Sequence, residues 1–363
     1  MITVVGAGMG GLTLARILHL QGAEVQVFDR DASPTGRPQG GMLDIHVDSG
    51  QAALRAAGLL EKFRTLTLAG GDAVRVLDKT GTVLVDQAGN GRRPEVDRGA
   101  LRDLLLSSLP DGMVRWGHLV TNVRPVEGGY ELTFANGHAL KTEVLIGADG
   151  AWSKVRSVLS EVKPVYSGLS FVETHFFDAD TRHPGPSSVI GQGLFFALGD
   201  GKGIMAHRKP NSELCIYAAL KVPADWAKTA LAREALLEHF ADWDNGLRAL
   251  IADSDSELVP RQIHALPVGH RWERASGMTL VGDAAHLMSP FAGEGVNLAM
   301  IDGADLALAI IRYPGNSEAA LAEYEAVMFP RAENAARDSA AGLGLILGPD
   351  AAQGLAAFFN SHL

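Results

Sequence analysis

The chain has 363 residues, 47% hydrophobic and 20% charged, a globular composition that excludes a disordered or fibrous polypeptide. Its 32 Lys and Arg against 42 Asp and Glu give a formal charge of −10, with no long run of one sign, which argues against a nucleic-acid partner. With one cysteine, Cys215, no intramolecular disulfide and no thiolate metal site are expected. No signal peptide is visible, nor the roughly 20 unbroken apolar residues of a membrane span, so a cytoplasmic protein is expected.

In chain order, "MITVV" reads as a buried parallel strand, and Leu12, Ala15, Ile17 and Leu18 recur at helical spacing between Gly10 and Gly22. "AEVQVFDRD" is a second strand, and "ASPTGRPQGG" a loop. "SGQAALRAAGLLEKF" reads as a helix capped by Ser49, "AVRVLDKTGTVLVD" as a hairpin, and "DRGALRDLLLSSL" as a helix. Strands follow near "VRW", "GYELTFANG" and "TEVLIGADG". From Pro164 to Leu266 short strands with turns predominate ("LSFVETHFFDA", "GLFFALGDG", "KGIMAHRK", "ELCIYAAL"), with one helical piece, "LAREALLEHFADW". "GMTLVGDAA" restores the buried-strand pattern, and the remainder is helix-rich, with "SEAALAEYEAVMFPRAENAARDSAAGL" its clearest segment.

The predicted fold is α/β: a Rossmann-like dinucleotide domain with an inserted, mainly antiparallel β-sheet domain for substrate and a C-terminal helix. The expected boundaries are 1–70, 95–163 and 272–320 for the first, 71–94 and 164–271 for the second, and 321–363 for the helical segment.

Three stretches carry the chemistry. Gly6, Gly8 and Gly11 form a GxGxxG between a strand and a helix: one glycine for the tight turn, one to admit a pyrophosphate, one for close packing. Asp29, 23 residues beyond Gly6, ends the next strand where a carboxylate can accept ribose hydroxyls. Packing alone is the competing reason for the glycines. "GADGAWSKVR" (147–156) ends another strand in an acid between glycines, and is by itself equally a capped turn. In "GDAAHLMSPFAGEGVN", Asp283 ends a strand and can bind a polyol, and the glycine-rich loop starts a helix near Val296 whose positive end favours a negatively charged ring. His286 reads as capping or packed rather than as a catalytic base.

Together, in this order, these stretches resemble the flavin-dependent aromatic hydroxylases of the para-hydroxybenzoate hydroxylase type, the class A flavin monooxygenases, over nearly the whole chain. "GGMLDIHVDSGQAALRAAGLL" and "PEVDRGALRDLLLSSL" are most similar to the tetracycline-inactivating flavin monooxygenases. The resemblance implies that Gly6, Gly8 and Gly11 hold the FAD pyrophosphate, Asp29 the adenosine ribose, and Arg30 lies beside the adenine. It implies that Arg98 contacts the flavin end, Arg102 phosphate or ribityl, and Asp283 ribityl or pyrophosphate. Gly293, Gly295 and Asn297 would line the pyrimidine edge, and Asp44 would sit against the flavin. Asp149 and Arg156 belong to a segment implicated in FAD and NADPH binding, and Arg37 to a position that receives NADPH as a transient co-substrate. For Arg102 and Arg156 a salt-bridged helix residue is the alternative, and for Arg37 a solvated loop charge. Residues 39–42 either permit flavin movement or form a plain turn.

No Ser/His/Asp order, HExxH or metal spacing is present, so no catalytic side chain is assigned and the cofactor carries the chemistry. The implied activity is an NADPH-consuming monooxygenase that uses dioxygen, through a flavin C4a-hydroperoxide, to hydroxylate an aromatic or polyketide-like molecule. The expected substrate residues are Gln192, Gly193, Cys215, Pro290 and Phe291. Gly193 and Cys215 stand where the tetracycline-inactivating enzymes present an arginine and a histidine, so tetracycline is expected to be at best a poor substrate. A FAD-dependent reductase and a flavin-loaded protein that sequesters an aromatic ligand are the rivals. A monomer is the default expectation.

Overall fold

The β-branched run Ile2–Val5 pairs in parallel with Val25–Phe28 on one side and Val144–Gly147 on the other. Met278–Leu280 extends the sheet beyond Val144–Gly147 and Val114–Arg115 extends it beyond Val25–Phe28, giving five parallel strands in this computed structural model. The structure describes residues 1–37, 40–226 and 231–362. The helix Met9–Leu20 carries the chain from Ile2–Val5 to Val25–Phe28, whereas Val144–Gly147 lies on the opposite side. The strand order therefore reverses at Ile2–Val5, and the carboxyl ends of the strands open a crevice there.

The helix Gly295–Arg312 lies against Met9–Leu20 with almost no side chain between them. A Cβ on Gly10 would fall 2.6 Å from the Ala299 carbonyl oxygen, and one on Gly303 would fall 2.4 Å from the Gly10 carbonyl oxygen. The long helix Ser317–Ile346 buries Leu321, Tyr324 and Met328 in the same core, and the Tyr324 hydroxyl donates to the Leu280 carbonyl at 2.8 Å.

A seven-stranded sheet stands apart, in the order Val259–Ala265, Val165–Phe176, Leu214–Lys221, Lys202–Arg208, Leu194–Gly199, Val74–Asp78, Val83–Gln87. All its pairings are antiparallel except that between Leu194–Gly199 and Val74–Asp78. Side chains alternate across it. Ile204, Ala206, Ile216 and Ala218 pack on one face with the helices Arg233–Glu238 and Asn245–Ala252. Met205, Tyr217, Ala219 and Phe171 occupy the other, with Phe291, the end of Ser317–Ile346 and the helix Ala351–His362. The long helix thus touches both cores, bracing them.

Two local expectations fail, and one strand pairing has no counterpart among them. Ser49 precedes the helix Gly50–Ala56 but its hydroxyl makes no cap bond, whereas Asp97 caps Arg98–Ser107 by accepting from the Ala100 N–H at 3.1 Å. "LAREALLEHFADW" is helical only over Arg233–Glu238. The pairing of Met42–Asp44 with Glu95–Asp97, two short strands distant in sequence, has no local signature. Among the described residues no helix is long and apolar enough to cross a membrane.

Gly303→Val is expected to destabilise the protein by about 1–3 kcal/mol, because the added methyls must force two helix backbones apart. Urea unfolding measures this, and wild-type stability would mean that the helices part without cost.

Candidate functional site

The site is a cleft where strand ends meet. Strand Ile2–Val5 ends at Gly6, whose φ is +111°, and a Cβ there would lie 2.1 Å from the Ala148 carbonyl oxygen. A Cβ on Gly11 would lie 2.2 Å from the Gly6 carbonyl oxygen, yet one on Gly8 would meet nothing within 4 Å. Two of the three glycines are therefore demanded by packing, and Gly8 leaves bare backbone beside open space at the start of Met9–Leu20.

The Asp29 carboxylate accepts from the Ala7 N–H at 2.6 Å and the Asp31 N–H at 2.8 Å, so it braces the glycine turn. Arg30 beside it is exposed. Arg102, only 3% exposed, donates to the carbonyls of Ala7 at 3.3 Å and Pro34 at 2.7 Å, and its guanidinium lies 5.4 Å over the Trp116 ring. Arg102 Nη2 and Asp31 Oδ2 face each other at 3.9 Å, and neither buried atom has a hydrogen-bond partner. Buried polar atoms left so are costly. A phosphate and hydroxyl-bearing cofactor at the bare Gly8 backbone suits this donor and acceptor set. Arg37 is an exposed loop residue 3.5 Å from Asp31.

At the other end of the cleft, Asn297 is fully buried and joins two loops. Its amide nitrogen donates to the carbonyls of Asp44 at 2.9 Å and Gly293 at 3.1 Å, and its oxygen accepts from the His46 N–H at 2.9 Å. His46 bridges Asp44 at 2.8 Å and Glu294 at 3.3 Å. Burial works against the imidazolium, but its hydrogen bonds to Asp44 and Glu294 prevail and lift the pKa to about 9. Gly293 has φ +66°, with Asp44 Oδ2 3.2 Å from where its Cβ would stand. Gly295 opens the helix Gly295–Arg312, and a Cβ there would meet nothing within 4 Å. Arg98 closes this end, its main-chain N–H donating to Gly41 at 3.1 Å and its Nε to Gly40 at 3.0 Å. Of the glycine-rich segment 39–42, Gln39 lies outside the described residues.

Asp283 follows Gly282 at the end of Met278–Leu280 and sits accessible but recessed in the cleft. Lost hydration raises its pKa, opposed by the positive charges of His286, Arg98 and Arg156. Arg156 donates to the carbonyls of Ala284 at 3.0 Å and Ala151 at 2.6 Å, tying the 149–156 turn to the Asp283 turn. Asp149 accepts from Ser153 Oγ at 2.5 Å and the Lys154 N–H at 2.7 Å, so its carboxylate holds its own turn, the capping alternative. His286 is buried 2.6 Å from Asp302, which also accepts from the Gly282 N–H at 3.0 Å. That pair anchors the Asp283 turn from beneath.

Facing the cleft is the inner face of the seven-stranded sheet. Phe171 lies 5.6 Å from Tyr217 and 5.9 Å from Phe291, and His207 6.2 Å from Tyr217, between ring centroids. Tyr217 approaches Gly41, its hydroxyl 3.7 Å from where a Cβ would stand. Burial depresses His207 to about 4, so the ring is neutral near pH 7, and burial raises the Tyr217 phenol. Cys215 lies on this face two residues before Tyr217, and Pro290 precedes Phe291 at the rim.

Two substrate assignments need correction. Gln192 is exposed and lines a hollow with Arg75, Asp180, Ser187 and Arg208 on the far face of the sheet. Gly193 is buried, and a Cβ there would fall 2.3 Å from the Ala73 carbonyl oxygen, so no side chain fits where the parallel strand crosses. Tyr217, His207, Phe171, His46 and Glu95 were missed. Strand alternation places Cys215 beside Tyr217 and Met205 beside His207, and that pattern was the available signal.

The family model of the FAD binding domain matches residues 1–339, and the chain belongs to that family. It is 32% identical to monooxygenase asqM of Emericella nidulans, with 92% of each chain covered. HpxO of Klebsiella pneumoniae, solved with FAD and uric acid, superposes with a TM-score of 0.83 at 22% identity, covering 99% of this chain and 92% of that one. Tetracycline destructase Tet(55) gives 0.79 at 20% identity over 99% and 94%. The last two similarities are of fold.

Gly8→Val is expected to fold but to lose FAD, whereas Gly11→Val should unfold with or without it. Flavin absorbance after desalting and far-UV circular dichroism separate the two, and a Gly8→Val protein that keeps FAD would remove the cofactor from this turn.

Glu95, 2% exposed with Oε2 unpartnered, has its pKa raised to about 9, first by burial, then by Asp44 and Asp72, with His46 opposing. The folded state holds this proton more tightly than the unfolded one, so stability falls as pH rises from about 4.5 towards 9. Glu95→Gln should therefore gain stability over the wild type across that window, on the order of 1–3 kcal/mol at its alkaline end. Thermal unfolding at acid and alkaline pH tests it; a constant difference would refute it.

Proposed function

Because the chain is an FAD-dependent monooxygenase, we propose that it uses NADPH and dioxygen to hydroxylate an uncharged aromatic or polyketide-like small molecule. The observation that carries this reading is the cleft in which Gly8, Arg98, Asp283 and the Gly293–Asn297 turn converge opposite Phe171, Tyr217, His207 and Phe291. In this reading the bare Gly8 backbone receives the pyrophosphate while Gly6 and Gly11 shape the turn, with Arg102 supplying its unpartnered guanidinium nitrogen and Asp29 and Arg30 near the adenosine. Asp283 and Arg98 take the ribityl and flavin end, and Asp44, Gly293, Gly295 and Asn297 the pyrimidine edge. Asp149 and Arg156 support the turn beneath, and Arg37 meets NADPH.

Bound FAD supplies the hydride acceptance and dioxygen activation that no side chain here can perform. The chain's own contributions are electrostatic and positional. The amino end of Gly295–Arg312 favours negative charge on the ring. The Asn297 amide fixes the two loops that frame it, so the dipoles need not reorganise during reaction. Phe171, Tyr217 and Phe291 offer apolar ring surface that excludes water. Neutral His207 and the Tyr217 hydroxyl offer hydrogen bonds without a full charge, which suits a phenol, enol or amide. Cys215 adds only a weak donor to this wall, which supports the expectation that tetracyclines are poor substrates.

The test is turnover by FAD-loaded enzyme with NADPH across phenols, fused-ring polyketides and tetracyclines. Ligand-stimulated NADPH oxidation and a product heavier by one oxygen atom are expected. NADPH oxidation without oxygen in any product would make it a reductase, ligand binding without NADPH oxidation a sequestering protein, and efficient tetracycline hydroxylation would overturn the substrate reading.

A further inference from the structure

We propose that Glu173, His175 and Cys215 form a zinc-binding site at the end of the cleft-facing wall. His175 and Cys215 are directly paired residues of the antiparallel strands Val165–Phe176 and Leu214–Lys221, and Glu173 shares their face two residues away. His175 Nε2 lies 3.1 Å from Glu173 Oε1 and 3.9 Å from Cys215 Sγ, and the three donor atoms fall within 4.8 Å of one another. Donors of a tetrahedral zinc ion stand about 3.3–3.6 Å apart, from bonds of ~2.0 Å to nitrogen or oxygen and ~2.3 Å to sulfur. The strand pairing thus holds the three near coordination distance before an ion arrives.

The groups around them are those that orient ligands. Glu213 Oε1 lies 2.9 Å from His175 Nδ1, which directs the lone pair to Nε2, the atom facing Cys215 and Glu173. Arg261 Nε donates to Glu173 Oε2 at 3.0 Å, which leaves Oε1 for the metal. Lys209 Nζ donates to Glu213 at 2.8 Å and balances its charge. The thiol is buried, whereas the Glu173 and His175 side chains keep 18% and 19% exposure, enough for an ion to reach them. Sulfur with imidazole favours zinc over magnesium or calcium. Binding deprotonates the thiol and displaces any proton on His175, so affinity weakens as pH is lowered. Three protein donors leave the fourth position to water or another oxygen donor. The sequence expectation of no metal site is revised here, because the donors come from two strands rather than from one spaced motif.

The FAD-loaded enzyme is titrated with zinc chloride by calorimetry, and its zinc content is measured after desalting. One zinc per chain is expected, with X-ray absorption showing one Zn–S distance of about 2.3 Å. Cys215→Ser and His175→Gln should each weaken binding at least tenfold, and Glu173→Gln less, while flavin absorbance and circular dichroism stay unchanged. Absent zinc retention, or a wild-type zinc spectrum lacking sulfur, overturns the proposal even if a variant fails to fold; so does binding unchanged by Cys215→Ser in folded protein.

Discussion

The contact on which the rest depends is the one between Met9–Leu20 and Gly295–Arg312, where Gly10 and Gly303 let two helix backbones touch. Both helices present their amino ends to the same cleft because they are locked side by side. One end carries the bare Gly8 backbone and the other the open Gly295 backbone, so two positive dipole ends face the same cleft. A side chain at either crossing glycine would push the two amino ends apart.

Around that contact the buried carboxylates of Asp302 and Glu325 have several partners each. Asp302, fully buried, faces His286 at 2.6 Å, the Gly282 N–H at 3.0 Å and Arg331 at 3.0 Å. Glu325 accepts from Thr279 at 2.6 Å and Trp272 at 3.1 Å. Both groups fix the strand that delivers Asp283, one from its end and one from its middle. An ion pair so buried gains little net stability, since desolvation offsets most of the attraction, but breaking one is expensive. Their service is therefore geometric: the turn bearing Asp283 has one arrangement. The opposite holds for Glu95, whose buried Oε2 has no hydrogen-bond partner.

The sheet facing the cleft shows how far one strand's alternation reaches. On Leu214–Lys221, residues 214, 216, 218 and 220 build the far core. The intervening positions give Cys215, Tyr217 and Ala219 to the cleft side, so a single strand contributes to the aromatic wall and to the Glu173–His175–Cys215 cluster. The same rule sends Arg75 and Arg208 to the far side, where Gln192 lies beside them.

By itself the sequence determined the parallel core, the inserted sheet and the cofactor class. The core, the sheet and a dinucleotide site follow from short-range signals: β-branched runs, glycines at fixed offsets, acids at strand ends; FAD follows from the family resemblance of three stretches taken together. The family resemblance, rather than local spacing, singled out Arg98 and the Gly293–Asn297 turn as candidates. Only the tertiary structure decided which glycine is bare, since Gly6 and Gly11 are filled by Ala148 and by Gly6 itself, from segments that meet only on folding. It also decided that Asp149 serves its own turn, that Tyr217 and His207 form the wall, and that Glu173, His175 and Cys215 meet. Those facts depend on strand register, which residues far apart in the chain fix by packing, and no local pattern encodes a distance across space.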